Sequence, residues 1–305
     1  MTSERAHTAR ARLRSMLELE LLPRAVAALP WRFGHRVARM LARMPALYRE
    51  PVSAATRVAE RYGWCDDARR FAREQRALRL VDHADLYLSL HQGQHVRAAH
   101  VERVGEWPGG NSPVLAITVH WGVGLFGIAS LADTGRRIAC LSTRLDEAHV
   151  RHDPVLLRYG RTRLAEVERV AGAKLVYAGG GARAFLRALE RGESLLALID
   201  VPPDAVGGGH PVRLLDRRAL LPVGLVKLAE RTGLPVVFFA VELDAATGNR
   251  IVRVSESFVV TDRDVAMQRL ADELDHCIRR SPPAWTFWPF ADAFFPERAE
   301  RNVSA

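Results

Sequence analysis

The chain has 305 residues, enough for a large core in one large or two modest domains, and its 48% hydrophobic and 26% charged content is ordinary for a globular protein. Its three cysteines, Cys65, Cys140 and Cys277, are widely spaced, which argues against a disulfide framework or a zinc site and fits a reducing compartment. The net charge of +9 is carried almost entirely by arginine, since only Lys174 and Lys227 are lysines; it reflects either an arginine-rich coding bias or an anionic partner such as a membrane, a phosphorylated lipid, an acidic carrier protein or nucleic acid.

The first hundred residues are predicted to be helical, with an interruption at Pro23. We expect no secretory signal, because the basic N-terminus has no continuous apolar core before a small-residue cleavage site, and we expect no transmembrane helix. Residues 31–48 place an apolar face beside a basic one, and such a helix either lies on an anionic membrane or packs on the domain with a solvated arginine face. The two faces consist of Trp31, Phe33, Val37, Met40 and Leu41, and of Arg32, Arg36, Arg39 and Arg43.

Residues 111–132 form the most informative stretch, which has no formal charge apart from His120. The β-prone run 114–119 is typical of a buried strand, and Gly122, Gly124 and Gly127 after it predict a turn into a helix. A histidine at the C-terminal end of a buried strand lies where open α/β sheets bind ligands. The alternatives are a membrane span, a core histidine bonded to a backbone carbonyl, and glycines that only permit close packing.

Strands alternate with helices from about residue 114 to 280. This pattern predicts an α/β fold, with a mostly parallel central sheet flanked by helices and a helical N-terminal region. We treat the chain as one domain, with a helical and membrane-associating region over 1–105 and an α/β core over 106–295. The further predicted strands lie within 96–110, 136–143, 174–178, 194–203, 210–215, 234–243 and 249–260, the last as an edge strand. The predicted helices include 220–233 and 262–281, which Pro282 stops.

Several catalytic and binding motifs are absent or incomplete. The run GGGARA at 179–184 lacks the third glycine of a dinucleotide fingerprint and a suitably placed acidic residue. The chain has no Walker lysine and no Gly-x-Ser-x-Gly elbow, which argues against a P-loop site and a serine hydrolase. His149, His152 and Asp153 have no further ligand at close spacing, so no metal site is expected. No nucleic-acid-binding module accompanies the arginines, so no nucleic-acid partner is expected.

The order of segments over about residues 20–290 resembles the lipid A late acyltransferases, the lauroyl and myristoyl acyltransferases of the lysophospholipid acyltransferase superfamily. VLAITVHWGVGL stands in the place of the catalytic strand and turn, LLRYGRTRLAEVE resembles the basic block before the next strand, and PPAWTFWPF resembles the C-terminal Pro-x-x-Trp block. Further similar segments are LPWRFGHRVARMLARM, GARAFLRALERGESLLALID and VRLLDRRALLPVGLVKLAERTGLPVVFFAVEL. The resemblance implies a glycerol-3-phosphate acyltransferase-like α/β fold.

The resemblance also implies an activity: transfer of a fatty acyl group from an acyl carrier protein or coenzyme A thioester to a hydroxyl of a lipid or glycolipid acceptor. His120 would be the general base, and no cofactor or metal would be needed. The protein would act peripherally at the cytoplasmic face of the inner membrane, with the anionic membrane surface as a partner. Backbone N–H groups of the glycine turn would stabilise the oxyanion, and arginines would bind the acceptor phosphate or the carrier's phosphopantetheine, unless they form only a solvated face. These candidate substrate-binding residues are Gly122, Gly124, Arg158, Arg161 and Arg163.

One departure from the family pattern concerns the histidine. The family signature is His-x4-Asp/Glu, whose carboxylate orients and charges the histidine, and this chain has Leu125 at the acidic position. Leucine can neither accept an imidazole N–H nor stabilise an imidazolium. Either a backbone carbonyl or another carboxylate contacts His120, or the usual activity is lost and the chain is a non-catalytic accessory protein that binds an acyl chain or lipid. The candidate carboxylates are Asp200, which we assign to the catalytic site, Asp146 and Glu147.

Overall fold

The structure is a computed structural model that describes residues 10–143, 153–177 and 181–295. Its N-terminal part is helical, with Leu22–Ala28 (α1), Trp31–Leu41 (α2), Arg49–Tyr62 (α3) and Ala68–His100 (α4). Helical residues 10–15 and the wider π-helical stretch Met16–Leu21 lead directly into α1. Pro23 therefore does not interrupt the helix as predicted. It lies where the π-helical stretch passes into α1, and the wider turns before it accommodate a residue that lacks an N–H.

Seven strands form the central sheet, in the spatial order β1-β9-β8-β2-β5-β3-β4. Strands β8, β2, β5, β3 and β4 are parallel to one another, whereas β9 runs antiparallel to β8 and parallel to β1. The predicted α/β fold with a mostly parallel sheet is thus confirmed. The strands are Val101–Val104 (β1), Leu115–Thr118 (β2), Ile138–Ser142 (β3), Val176–Tyr177 (β4), Ser194–Leu198 (β5), Val236–Leu243 (β8) and Arg250–Val254 (β9), while Gly209–Leu214 (β6) and Arg217–Pro222 (β7) form a separate hairpin.

Helices cover both faces of the sheet. Alternate residues of β2 belong to two different buried clusters, since Leu115 and Ile117 pack on one face and Ala116 packs on the other. Strands buried on both faces have continuous apolar sequences, which is why the run 114–119 contains no polar residue except Thr118. The helices that complete the fold are Leu125–Ala132 (α5), Pro154–Ala171 (α6), Gly181–Glu190 (α7), Gly224–Thr232 (α8) and Arg263–Arg280 (α9).

Two predictions about the strands were wrong. Strand β9, predicted as an edge strand, pairs with β8 on one side and β1 on the other. Its sequence alternates because Arg250, Val252 and Val254 are buried while the residues between them are half-buried. The predicted helix over 220–233 begins only at Gly224, because the residues before it form β7 and pair with β6. The two strands form a hairpin joined by Leu215 and Asp216, and the apolar residues at 219–221 resemble the start of the apolar helix that follows.

The N-terminal helices and the sheet share one core, and a buried ion pair connects them. Asp85 of α4 and Arg250 of β9 are both fully buried and bonded to each other. The guanidinium of Arg250 also lies 3.7 Å from the ring centroid of Trp31 in α2. Burial raises the pKa of Asp85 to about 6, although Arg250 opposes that shift. Because β1 (101–104) also belongs to the sheet, the sheet begins before the boundary at residues 105 and 106 that we assigned from sequence.

Candidate active site

The register of two neighbouring parallel strands brings His120 and Asp200 together. Strand β2 pairs with β5 so that Thr118 lies opposite Leu198, and the Ile199 N–H donates to the Thr118 carbonyl at 3.0 Å. His120 and Asp200 each follow two residues after these paired positions, so the same register places them side by side. Both lie at the C-terminal ends of their strands, where open α/β sheets bind ligands.

The carboxylate of Asp200 contacts His120 twice. Its Oδ1 lies 2.9 Å from the imidazole Nδ1, and its Oδ2 accepts the backbone N–H of His120 at 2.8 Å. Asp200 is fully buried, whereas the His120 side chain is 29% exposed. The carboxylate is therefore closed to solvent while the imidazole is accessible to a substrate. Among the described residues, Nε2 of His120 has no hydrogen-bond partner, so this nitrogen is the one that can exchange a proton with a bound molecule.

Leu125, the residue at the acidic position of the His-x4-Asp/Glu pattern, does not contribute to this arrangement. It begins α5 and is only 2% exposed. The carboxylate that contacts His120 belongs to Asp200, at the end of the next strand in space. The other two candidates, Asp146 and Glu147, lie outside the described residues. The geometry allows Asp200 to orient the imidazole and to stabilise its protonated form, as an aspartate does in a Ser-His-Asp triad.

The segment 281–288, just after α9, lies against this pair. The Trp285 indole N–H donates to Asp200 Oδ2 at 2.9 Å, and the Thr286 backbone N–H donates to the His120 carbonyl at 2.9 Å. The Phe287 ring stacks on the imidazole, with centroids 3.6 Å apart and planes at 14°. We did not predict these contacts from the sequence. The sequence signals were the resemblance of PPAWTFWPF to a Pro-x-x-Trp block and the concentration of aromatic residues after the helix-stopping prolines, and neither identifies a partner.

The glycine turn approaches strand β8 closely. Gly122 has φ +72°, and a Cβ there would lie 1.9 Å from the Val241 carbonyl oxygen, so only glycine fits. The Gly122 N–H donates to the Ala284 carbonyl at 3.0 Å. Of the described turn and helix-start amides, those of Gly124, Leu125 and Phe126 have no acceptor among the described residues, as is usual in the first turn of a helix. Gly122 thus shapes the turn. A role of Gly122 and Gly124 in substrate binding stays a prediction.

The three predicted phosphate-binding arginines lie on α6, which packs against the N-terminal helices. Arg158 forms a bidentate contact with Glu20 at 2.8 Å, and Arg163 contacts Asp82 at 2.9 Å. Arg161 is exposed on the same helix. In this structure two of the three guanidinium groups therefore stabilise helix packing, and binding of a phosphate by Arg158 or Arg163 would require an ion pair to open. Their predicted role in anion binding stays a prediction.

None of the cysteines is suited to be a nucleophile. Burial raises the pKa of Cys65 to about 11 and the pKa values of Cys140 and Cys277 to about 12. For Cys277 the neighbouring carboxylates of Glu273 and Asp200 add to the shift. Their thiols stay protonated at neutral pH, and the thiolate is the nucleophilic form. A mechanism through a cysteine-bound acyl group is therefore unfavourable.

Within residues 10–143, 153–177 and 181–295, no group of three or more His, Cys, Asp or Glu side chains is arranged to bind a metal ion. Asp153 caps the N-terminus of α6 through the N–H groups of Val155 and Leu156, whereas His149 and His152 lie outside the described residues. In the same part of the chain, no helix combines the length and the apolar character that a bilayer span requires.

No protein-family model matches the sequence, and no curated protein matches it. Among solved structures, the 1-acyl-sn-glycerophosphate (LPA) acyltransferase PlsC from Thermotoga maritima is similar, with 12% sequence identity and a TM-score of 0.35. The similarity covers 81% of this chain and 96% of that chain. A score of 0.35 does not by itself establish a shared activity.

Proposed function

We propose that the protein is an acyltransferase that moves a fatty acyl group from a thioester to a hydroxyl group of a lipid or glycolipid. The observation that carries this proposal is the contact between the buried Asp200 carboxylate and the accessible His120 imidazole, 2.9 Å apart at the C-terminal edge of the sheet. The sequence resemblance to lipid A late acyltransferases suggests the reaction class, and Asp200 supplies the carboxylate that this chain lacks at position 125.

The imidazole performs both proton transfers. Asp200 holds the proton of the neutral ring on Nδ1, so Nε2 accepts the proton of the acceptor hydroxyl as its oxygen bonds to the thioester carbonyl carbon. The resulting imidazolium is stabilised by the Asp200 carboxylate. When the tetrahedral intermediate collapses, the carbon–sulfur bond breaks and the imidazolium returns the proton to the departing thiolate. The products are an ester and a free thiol, and neither a metal nor another cofactor takes part.

The backbone at the start of α5 provides the groups that stabilise the developing oxyanion. The amides of Gly124, Leu125 and Phe126 follow His120 closely in the chain and have no acceptor among the described residues. Preorganised N–H groups at a helix N-terminus favour negative charge, which develops on the thioester oxygen during attack. We therefore propose these three amides, rather than that of Gly122, as oxyanion donors. The donor is an acyl carrier protein or coenzyme A thioester, whose phosphate groups suit the exposed arginines.

We further propose that helix α2 rests on an anionic membrane surface. Phe33 and Met40 are 55% and 58% exposed, and Arg36 lies between them at a spacing that places all three on one face. Trp31 and Ala38 face the core instead. The apolar side predicted from the sequence is therefore divided, with one part packed inside and the other facing solvent beside arginines. Exposed apolar and basic side chains on one helix face suit peripheral binding to anionic lipid.

The membrane surface can be tested with vesicles. Replacing Phe33 and Met40 with aspartate is expected to weaken binding to phosphatidylglycerol-containing vesicles roughly tenfold or more. Each change removes apolar surface that would be buried in the membrane and adds a negative charge that the anionic lipid repels. A matched control replaces Val259 and Val265, which are similarly exposed, with aspartate. Sedimentation with vesicles measures both. Equal binding by the two double variants would exclude α2 as the contact surface.

The enzymatic proposal is tested by turnover. Purified protein is incubated with a panel of acyl carrier protein and coenzyme A thioesters of different chain lengths and with vesicles containing hydroxylated lipids. Protein-dependent release of free thiol, together with an acylated lipid detected by mass spectrometry, is the expected result. Binding of acyl chains or lipids without turnover across the panel would overturn the proposal in favour of a non-catalytic lipid-binding protein.

A further inference from the structure

The residues that immediately surround the His120–Asp200 pair come from the segment 284–287. The Gly122 N–H donates to the Ala284 carbonyl at 3.0 Å, and the backbones of Trp121 and Trp285 pair as in an antiparallel ladder. The Thr286 N–H and Oγ1 both donate to the His120 carbonyl, at 2.9 and 3.1 Å. The segment therefore fixes the backbone on both sides of the imidazole. Its two aromatic side chains make the contacts with the functional groups.

Trp285 determines how the Asp200 carboxylate can be oriented. Oδ2 accepts two N–H groups, from the Trp285 indole at 2.9 Å and from the His120 backbone at 2.8 Å. Oδ1 is thereby left to face Nδ1 of the imidazole. Trp285 is fully buried beside Trp288 and Phe294, and its single polar atom is used for this bond. A large apolar side chain without a polar atom could fill the same space, but it could not donate this hydrogen bond to Asp200.

Phe287 limits the rotation of the imidazole. With ring centroids 3.6 Å apart and planes 14° from parallel, it covers one face of the ring. A rotation of the imidazole about its Cβ–Cγ bond would drive ring atoms into this face. Phe287 is half-buried and also contacts the exposed Phe290, with centroids 5.0 Å apart. The stack thus leaves the edge that carries Nε2 accessible.

We propose that Trp285 and Phe287 are positioning residues for the reaction: the indole N–H holds the carboxylate so that the neutral imidazole is protonated at Nδ1, and the phenyl ring holds the imidazole so that Nε2 faces the substrate. The inference rests on the proposed acyltransferase function for its kinetic consequence. Its structural consequence, a single imidazole tautomer in a single orientation, is measurable without any turnover.

The tautomer is tested by NMR of protein labelled with ¹⁵N in histidine. In the wild-type protein the neutral His120 ring is expected to be protonated at Nδ1. In Trp285→Phe the carboxylate of Asp200 keeps only one N–H donor on Oδ2 and can turn Oδ1 away from Nδ1, so the ring is expected to populate both tautomers. Trp288→Phe is the matched control, since this equally buried indole donates to the Pro282 carbonyl instead. A single Nδ1-protonated tautomer in folded Trp285→Phe would overturn the role of the indole.

The role of Phe287 is tested separately, because its half-buried ring can be replaced with less risk to folding. Phe287→Leu is expected to lower kcat about tenfold with little change in KM, similar to the loss of groups that orient metal-binding histidines. Phe287→Tyr, which keeps an aromatic ring, is expected to retain the wild-type kcat. Phe290→Leu is the control. A wild-type kcat in folded Phe287→Leu would overturn the role of the stack. A tautomer change in Trp285→Phe without turnover in wild-type protein would refute the acyltransferase function but not the positioning.

Discussion

Replacing His120 with alanine is expected to lower the rate of acyl transfer by about 10²–10⁴-fold, the usual contribution of a positioned general base. The change removes the proton acceptor that the hydroxyl needs, while Asp200 keeps two donors, the backbone N–H of residue 120 and the Trp285 indole. The fold should therefore tolerate the change. The measurement is kcat/KM for thiol release, combined with vesicle binding and thermal unfolding of the same preparation.

The chain offers a matched control for this variant. His210 Nε2 lies 3.3 Å from Asp264, so it forms a second histidine–aspartate contact. Asp264 lies in the first turn of α9, whereas Ser281, beside the candidate active site, follows the last turn of that 18-residue helix, about 25 Å away. His210→Ala should retain wild-type turnover. If His120→Ala also retained it, His120 could not be the base and the proposed mechanism would be refuted.

The main features of the fold could be predicted because they depend on local periodicity. Strands buried on both faces are short apolar runs, and the helices between them repeat at 3.6 residues, so the α/β class follows from the sequence pattern. The histidine at the end of β2 was identified from such a run. The errors occurred where pairing decides the structure: β7 forms because it meets β6, and β9 is internal because β1 covers it.

The partner of His120 illustrates the same limit. Asp200 ends an apolar run just as His120 does, and this made it a candidate. The local sequence around each strand does not show that β2 and β5, 80 residues apart, are neighbours in the sheet with Thr118 opposite Leu198. Without that register Asp146 and Glu147 remained candidates beside Asp200, which we assigned to the catalytic site. Trp285 and Phe287 lie in the PPAWTFWPF block that the sequence analysis named, but no contact with His120 or Asp200 was predicted for them. An aromatic side chain after a helix usually packs in the core, and the sequence does not show which polar group it meets.

The spatial origin of the carboxylate gives a reason why Leu125 is tolerated. In the His-x4-Asp/Glu pattern the acid comes from the turn that follows the histidine, whereas here it comes from the adjacent strand. Because Asp200 is fully buried and bonded by Trp285, its position is set by the sheet rather than by the glycine turn. Residue 125 is then free to be apolar and to pack in the first turn of α5. An aspartate there would be a buried charge without a partner.

Replacing Asp200 with asparagine is expected to lower turnover by about 10³–10⁴-fold, because it forces the wrong tautomer on His120. Two N–H groups point at the Oδ2 position, so the amide oxygen must occupy it. The amide NH₂ group then lies at the Oδ1 position, 2.9 Å from Nδ1 in the present structure. An N–H donor there requires an unprotonated Nδ1, so the ring proton moves to Nε2, which can no longer accept a proton from the hydroxyl.

This prediction separates orientation from simple loss of charge. ¹⁵N NMR of the Asp200→Asn variant should show His120 protonated at Nε2, and kcat should fall with little change in vesicle binding. Asp292→Asn is the control, since Asp292 accepts hydrogen bonds from Arg61 and Tyr62 instead of His120. Adding Leu125→Asp to Asp200→Asn should not restore turnover, because residue 125 is buried and in this fold the histidine takes its carboxylate from β5. Restored turnover would instead show that a carboxylate at position 125 can reach the imidazole.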